Sequence, residues 1–176
     1  SLNLPEGSPS SDGTKLLVTD TANHRALLWT TLPNMKMDTP SIVVGQAGFT
    51  SNTANRGGAA DLGTLSTPIA SALPTSRMLI VDRGNHRVLL WNQHPTASGQ
   101  AADLVLGQST GSGTSANPVG SPTASSLNTP NGVASDGTRV IVADSGNHRV
   151  LIWNSWPTSS GAAANVVLGQ PQLTTA

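Results

Sequence analysis

Three histidines at a constant spacing are the residues in this sequence whose chemistry needs explaining first. His24, His86 and His148 follow one another at steps of 62 residues, and three neutral imidazoles form a ligand set that zinc accepts. Each histidine has the same neighbours, however, so the spacing indicates an internal repeat. Equivalent positions on successive repeat units diverge and do not meet at zinc bond lengths of roughly 2 Å. We therefore expect no metal site at these histidines.

The histidines belong to a repeated motif of carboxylate, amide, imidazole and guanidinium side chains. Because every unit carries the whole motif, we predict that it is structural, and that its aspartate, asparagine and arginine serve the turn and the contacts between units. The aspartate can accept backbone N–H groups of the tight turn and can pair with the arginine, which would otherwise be buried without a partner. The twelve residues of this motif are Asp20, Asn23, His24, Arg25, Asp82, Asn85, His86, Arg87, Asp144, Asn147, His148 and Arg149.

Catalytic chemistry has little support in the sequence. The chain contains no cysteine and no tyrosine, and it lacks the Gly-x-Ser-x-Gly turn of serine hydrolases. Of its nine acidic residues, three are the motif aspartates, and Asp12 and Asp136 lie in Asp-Gly-Thr turns. No pair of carboxylates suited to acid–base chemistry is indicated. We expect no catalytic residue, no cofactor and no enzyme activity.

The charge balance argues against nucleic-acid and membrane partners. Nine basic and nine acidic residues give a formal net charge of zero, which provides no general attraction to polyanions. Six basic residues occupy repeated positions, so only Lys36, Arg56 and Arg83 are free to form a phosphate-binding surface. No apolar run approaches the roughly 18 residues of a membrane-spanning helix. We therefore expect neither a nucleic-acid partner nor a membrane span.

Positions that break the repeat are candidates for specific recognition. One position of the 62-residue repeat, just before a recurring proline, is occupied by Leu32, His94 and Trp156, which differ completely in side chain. Such variation predicts an exposed contact site, with Trp156 as the anchor because aromatic residues dominate interface energetics; drift in a surface loop is the alternative. Arg56 and Arg83 are the predicted contacts of the opposite rim.

The elements that position these residues are short β-strands. Apolar runs in each unit are brief, contain many β-branched residues and end at turn residues, which is typical of strands. In the third unit the predicted strands cover residues 127–135, 139–143, 148–153 and 166–168. Four antiparallel strands followed by a long return form a propeller blade. In the first unit Ser8 and Pro9 replace packing and pairing residues, so we expect an irregular first strand there.

The repeated series of motifs resembles the NHL repeat. Its elements are Leu-Asn-x-Pro, then Ala-Asp-Ser-Gly-Asn-His-Arg-Val-Leu-Ile-Trp, then Val-Val-Leu-Gly-Gln, as in bacterial NHL proteins with long blades. The resemblance implies a β-propeller, commonly six-bladed, in which each repeat is one blade. Some members bind RNA, some bind protein, and a related group are lyases or hydrolases with metal at the axis. The fold therefore does not fix the function.

The predicted fold class is all-β, a β-propeller of four-stranded antiparallel blades, three per chain. We place the blades at residues 1–62, 63–124 and 125–176. Three blades form an open arc with two apolar faces, whereas propellers close with about four to eight blades. We expect a homodimer that completes a six-bladed ring. The alternative is that these residues are part of a longer natural propeller.

The expected function is that of a non-catalytic scaffold or binding module. A protein or glycan ligand would bind at the axial mouth or along a rim, and the other partner would be a second copy of the chain. The alternative is a lyase- or hydrolase-like propeller with an axial metal. Few residues are charged, and Gly, Ser, Thr, Ala and Pro are abundant; this composition resembles secreted bacterial β-proteins and favours an extracellular or periplasmic location.

Overall fold

The structure is a computed structural model that describes residues 1–176. It contains three separate sheets, each of four antiparallel strands that neighbour one another in chain order. Blade one consists of β1 (Ser10–Ser11), β2 (Leu16–Asp20), β3 (Arg25–Trp29) and β4 (Ile42–Val44). Blade two consists of β5 (Pro68–Ala72), β6 (Met78–Asp82), β7 (Arg87–Trp91) and β8 (Leu104–Leu106). Blade three consists of β9 (Gly132–Ser135), β10 (Val140–Asp144), β11 (Arg149–Trp153) and β12 (Val166–Leu168). The predicted all-β architecture of three four-stranded blades is confirmed.

The hairpin between the second and third strands has the same form in every blade. A single 3-10 turn joins the strands at Thr21–Asn23, Arg83–Asn85 and Ser145–Asn147. The following histidine ends the turn in the left-handed region, with φ of 52° at His148. The third strand of blade three therefore begins at Arg149 and not at His148, because a residue with positive φ cannot continue an extended strand.

The first strands are shorter than the sequence predicts. In blade three, β9 begins at Gly132 because Thr129 has φ of 41° and interrupts the extended backbone. In blade one, β1 has only two residues, Ser10 and Ser11, which confirms the irregular strand expected from Ser8 and Pro9. The three first strands are neighbours, since β5 contacts the β1–β2 hairpin of blade one on one side and β9 on the other.

The hydrophobic core lies between the blades and not within one of them. One cluster joins blades one and two, and its members include Leu28, Val44, Ile80 and Trp91. A second cluster joins blades two and three and includes Leu90 and Leu151 among its members. Successive side chains of a strand point to opposite faces, so blade two contributes alternate residues to the two clusters. The structure contains no helix with the length and apolarity needed to cross a bilayer.

Candidate functional site

The repeated motif forms a fully buried ion pair in blade two. Arg87 Nε donates to Asp82 Oδ2 at 2.6 Å, and Asn85 Nδ2 donates to the same oxygen at 2.8 Å. The other carboxylate oxygen, Oδ1, accepts the backbone N–H of Ser66 at 2.6 Å. Complete burial raises the pKa of the Asp82 carboxyl, and the neighbouring Arg87 guanidinium and the hydrogen bonds from Ser66 and Asn85 oppose that rise. The carboxylate thus has a donor on both oxygens.

The backbone donor to each aspartate is not in the turn, which corrects the expectation from the sequence. Asp144 Oδ1 accepts the N–H of Asn128 at 2.7 Å, and Asp20 Oδ1 accepts that of Asn3 at 2.6 Å. These donors belong to the Leu-x-x-Pro segment that leads into the first strand. The turn instead contributes its asparagine side chain, and the backbone N–H groups of Gly84 and His86 donate to the carbonyls of Ser66 and Arg83. The aspartate therefore ties the entry of each blade to its central hairpin.

The arginine of the motif connects the returns on either side of its blade. In blade two, Arg87 Nη2 donates to the carbonyls of Asp61 and Thr64 at 2.9 and 3.0 Å, and Nη1 donates to the carbonyl of Gly111. Arg149 repeats this pattern with the carbonyls of Thr123, Ser126 and Leu173. Carbonyl acceptors thus satisfy the guanidinium donors that the aspartate does not reach. The motif is a connector of backbone segments in each blade.

The histidines join consecutive blades, a role that the sequence did not predict. Nδ1 of His24 accepts the backbone N–H of Thr67 at 3.0 Å, and Nδ1 of His86 accepts that of Thr129 at 2.9 Å. An imidazole can accept this bond only while that nitrogen is unprotonated. Burial lowers the pKa of His86, although the carboxylates of Asp144 and Asp82 oppose the effect. The shift favours the neutral ring.

The third histidine has no such partner within the chain. His148 has the same left-handed backbone as the other two, but no backbone N–H of the structure donates to its ring. The corresponding donor position in blade one is Leu4, whose φ of 48° matches that of Thr67 at 52°. No group of three His, Cys, Asp or Glu side chains in the structure is arranged to hold a metal ion.

Amide side chains make a second set of bonds near each hairpin. Asn85 and Asn55 exchange two hydrogen bonds of 2.9 and 3.1 Å through their side-chain amides. Asn147 and Asn117 exchange the equivalent bonds at 3.0 and 2.8 Å. Asn23 has only its bond to the carboxylate of its own blade. These pairs hold the return that precedes a blade against the hairpin of that blade.

Trp156 is buried, which corrects the predicted exposed contact site. Its side chain belongs to the core cluster between blades two and three, and the residue is only 9% exposed. The indole Nε1 donates to Asn92 Oδ1 at 2.8 Å, and the Arg77 guanidinium carbon lies 4.4 Å from the ring centroid. Trp156 therefore packs against the preceding blade.

His94 occupies the same position in blade two and also packs against its surroundings. Its Nε2 lies 2.9 Å from the carbonyl oxygen of Arg77, and its Nδ1 lies 3.9 Å from Asp12 of blade one. Burial lowers the pKa of His94, and the hydrogen bond to the Arg77 carbonyl opposes this. Leu32, the equivalent residue of blade one, is 46% exposed. The residue at this position differs between blades two and three because it contacts different residues of the preceding blade in each.

The two predicted arginine contacts lie on one rim. Arg83 is exposed at the hairpin of blade two. Arg56 is also exposed and donates to the carbonyls of Gly63 and Gly99 at 2.7 and 3.3 Å. The amide pair between Asn55 and Asn85 brings the two arginine-bearing segments together. Arg56 also lines a shallow cavity of about 420 Å³ with Asp61 and backbone of the neighbouring returns.

The carboxylates of the Asp-Gly-Thr turns are engaged locally. Asp136 Oδ1 accepts the N–H groups of Arg139 and Thr138 at 2.7 and 2.9 Å, and these bonds lower the pKa of Asp136 to about 2. In blade one, burial acts to raise the pKa of Asp12. The hydrogen bonds from the N–H groups of Thr14 and Lys15 nevertheless hold that pKa below its usual range. Both residues have the turn role that the sequence predicts.

The sheet faces at the two ends of the chain are apolar and incompletely covered. On blade three we call this the trailing face; Ile141, Val166 and Leu168 are 37%, 36% and 54% exposed there. Its remaining members are Ala143, Val150 and Ile152. On blade one we define the leading face as Leu16, Val18, Leu27, Trp29 and Val43. Leu27 and Val43 are buried, and the other three are half-buried. A cavity of about 660 Å³ lies on the leading face, lined by Leu27 and Trp29 together with Leu2, Met37 and Phe49. The trailing face is thus an open apolar surface, as expected of an arc of blades, and the leading face is only partly open.

Comparison with protein-family models gives a match in blade three. The NHL repeat profile matches residues 127–153, which cover the entry segment, first strand and central hairpin of blade three. The match contains the complete Asp144, Asn147, His148 and Arg149 cluster. No curated protein matches the chain. The same cluster and the same four-stranded blade recur in all three units. Residues 127–153 thus match the NHL repeat, which supports the resemblance that the repeated motif predicts.

Proposed function

We propose that this chain is a non-catalytic propeller module that serves as a scaffold or binds a partner, and that a second copy completes its ring. One observation carries the proposal: the two open faces repeat the two halves of an interface that the chain makes twice internally. A surface that already has its complement in the same sequence can bind another copy of itself head to tail.

The leading face corresponds to the side of blade two that meets blade one. That side consists of Met78, Ile80, Leu89, Trp91 and Val105, all buried in the cluster between the two blades. Subtracting the 62-residue step gives the leading face of blade one. Both sets have an indole at the end of the third strand and an aliphatic residue at its centre. The leading face is thus equipped to meet the trailing side of another blade.

The trailing face corresponds to the side of blade two that meets blade three. Leu79, Val81, Val88, Leu90 and Leu106 form that side, and each is inaccessible to solvent. Their equivalents in blade three are the members of the trailing face, which keep an apolar side chain at every position. Burying such side chains contributes about 25 cal/mol per Å² of apolar surface removed from water. Covering this face is therefore strongly favourable.

Polar groups at the two ends are complementary as well. His148 carries an imidazole nitrogen without an acceptor role in the chain, and Leu4 carries a backbone N–H in the conformation of Thr67 and Thr129. Joining the end of one copy to the start of another would form the same bond that His24 and His86 make internally. Two copies of three blades would close a six-bladed ring, within the range of known propellers. We call the contact between two neighbouring blades a seam; the ring would have two identical seams between copies.

Within this proposal the ligand is a protein or a glycan that binds at the axial mouth or along a rim. The rim that carries Arg56 and Arg83 has two of the three basic residues outside the repeated positions, and we place the axial side at the first strands. Metal analysis of the purified protein separates this proposal from a metal-dependent lyase or hydrolase, which would contain stoichiometric zinc or calcium. We also propose that the module acts outside the cell or in the periplasm.

The test of ring completion is the solution mass of the chain and of a trailing-face variant. Ile152→Glu places a charge at the centre of the half-buried trailing face, so it should convert a dimer into a folded monomer of 17.9 kDa. Thr158→Glu is the matched control, because Thr158 is exposed in a loop of the same blade and should leave the dimer intact. A monomeric parent chain, or an Ile152→Glu dimer, would refute the proposal.

A further inference from the structure

We infer that the seam between two copies is weaker than the seams within a copy, and that the assembled ring opens there. This inference rests on the proposed ring. The responsible residues are Lys36 and Met37, which replace a Ser-Gly pair used at both internal seams. They lie in the connection between the third and fourth strands of blade one, beside the leading face.

At each internal seam this connection binds the fourth strand of the preceding blade. Between blades one and two, Ser98 Oγ accepts the N–H of Val43 at 3.1 Å, and the N–H of Gly99 donates to the carbonyl of Val43 at 2.9 Å. Between blades two and three, Ser160 and Gly161 make the same two bonds with Val105, at 3.2 and 2.9 Å. Each internal seam therefore closes with a pair of hydrogen bonds to one edge-strand residue.

The connection of blade one keeps this shape although its sequence differs. Trp29 Nε1 donates to the carbonyl of Asp38 at 3.1 Å, as Trp153 Nε1 does to the carbonyl of Ala162 at 3.0 Å. Met37 has φ of 78°, close to the 73° of Gly99 and the 69° of Gly161. Its backbone N–H is thus presented at the position from which the two glycines reach the preceding blade.

Only one of the two bonds can form at the seam between copies. The equivalent of Val43 and Val105 is Val167, in β12, the edge strand of blade three. The N–H of Met37 can donate to the Val167 carbonyl of a second copy. Lys36 has no acceptor atom, so the N–H of Val167 stays without the bond that Ser98 and Ser160 provide. An unpaired donor at an interface costs affinity.

The side chain of Met37 adds a second disadvantage. A Cβ at Gly99 would lie 3.3 Å from the carbonyl oxygen of Gln46, and a Cβ at Gly161 would lie 3.2 Å from Cα of Ser109. Both distances are tighter than usual contacts, so a Cβ there pushes its neighbour away. Met37 brings such a Cβ to the equivalent contact with a second copy, in a backbone region that glycine favours. The seam between copies must therefore be looser.

The experiment introduces the Ser-Gly pair of the internal seams at the seam between copies. The variant Lys36→Ser/Met37→Gly should dimerise more tightly than the parent, as measured by sedimentation equilibrium over a range of concentrations. One hydrogen bond is typically equivalent to about a fivefold change in affinity. The closed dimer has two seams, so the dissociation constant should fall by about 25-fold. Because the change is a gain of affinity, misfolding cannot imitate it.

Two further results separate this inference from the proposed ring. The single variant Lys36→Ala removes the charge without supplying an acceptor and should dimerise much less tightly than the double variant. A double variant with the parent's dissociation constant or a weaker one would overturn the inference and leave the ring in place. Monomers at every concentration, for the parent and the double variant alike, would overturn ring closure and this inference with it.

Discussion

Blades two and three have almost the same sequence pattern but differ in how they are covered. Every residue of β6 and β7 is buried, whereas burial in β10 and β11 alternates along the strands. The difference arises because blade two has a neighbour on each side and blade three has one. A blade therefore specifies its own fold, and its neighbours determine its burial. Substitutions at equivalent positions should have unequal effects.

Removing the motif aspartate should give the largest effect, and it should be largest in the middle blade. Asp82→Ala leaves the fully buried Arg87 without its anion and should lower the free energy of unfolding by about 3–5 kcal/mol. Asp20→Ala should cost less, about 1–3 kcal/mol, because the Arg25 side chain remains 7% exposed. Urea unfolding of both variants measures the difference. Unchanged stability in Asp82→Ala would contradict the structural role of the motif.

Truncating an aliphatic residue tests the same comparison in the core. Leu90→Ala removes a side chain that is inaccessible to solvent and should cost about 2–5 kcal/mol. Ile152→Ala changes the equivalent residue of blade three, which is half-buried, and should cost clearly less under conditions where the chain is monomeric. Thermal unfolding at low protein concentration provides the measurement. Equal losses would mean that the trailing face is already covered.

The amide pairs predict a smaller difference. Asn85→Ala removes the bonds to Asp82 and to Asn55, whereas Asn23→Ala removes only the bond to its own aspartate. The Asn85 variant should therefore be less stable than the Asn23 variant by about 1 kcal/mol, the typical net contribution of one or two such bonds. Parallel denaturant titrations of the two proteins would show this difference. Equal stability of the two variants would indicate that the pair to Asn55 contributes nothing.

The smallest expected effect is a dependence of stability on pH. Burial lowers the pKa of His86, so the unfolded chain binds a proton more readily than the folded chain. The stabilisation is complete above the unfolded pKa of about 6.5 and is lost as the pH falls below it. His86→Asn tolerates the left-handed backbone and does not titrate, so the slope of stability between pH 7 and 5 should become shallower. An identical slope in both proteins would refute this assignment.

The sequence predicts the blades well because strand and turn signals are local. The hairpin around Asp144 could be assigned from short β-branched runs and turn residues, and its recurrence indicated repeated blades. The roles of the histidines could not be assigned in this way. The bond from Thr67 to His24 joins residues 43 apart in different blades, and nothing in either segment alone specifies it. A threonine at a constant distance from two histidines was the available signal.

Trp156 shows why variable positions were misinterpreted. Variation among Leu32, His94 and Trp156 suggested an exposed surface, but the position lies against the preceding blade. Each residue there meets a different partner, since His94 lies near Asp12 and Trp156 binds Asn92. Pairs across a seam can vary together while the position stays buried. A single sequence contains the residues of such pairs but does not show which ones meet.

Small-angle X-ray scattering combined with light scattering tests the central claim most directly. If a second copy completes the ring, the particle should have twice the 17.9 kDa mass of the chain. It should also have the compact radius of gyration of about 20 Å expected for that many residues. A folded particle with the mass of one chain, or a dimer that is clearly more extended, would contradict the account.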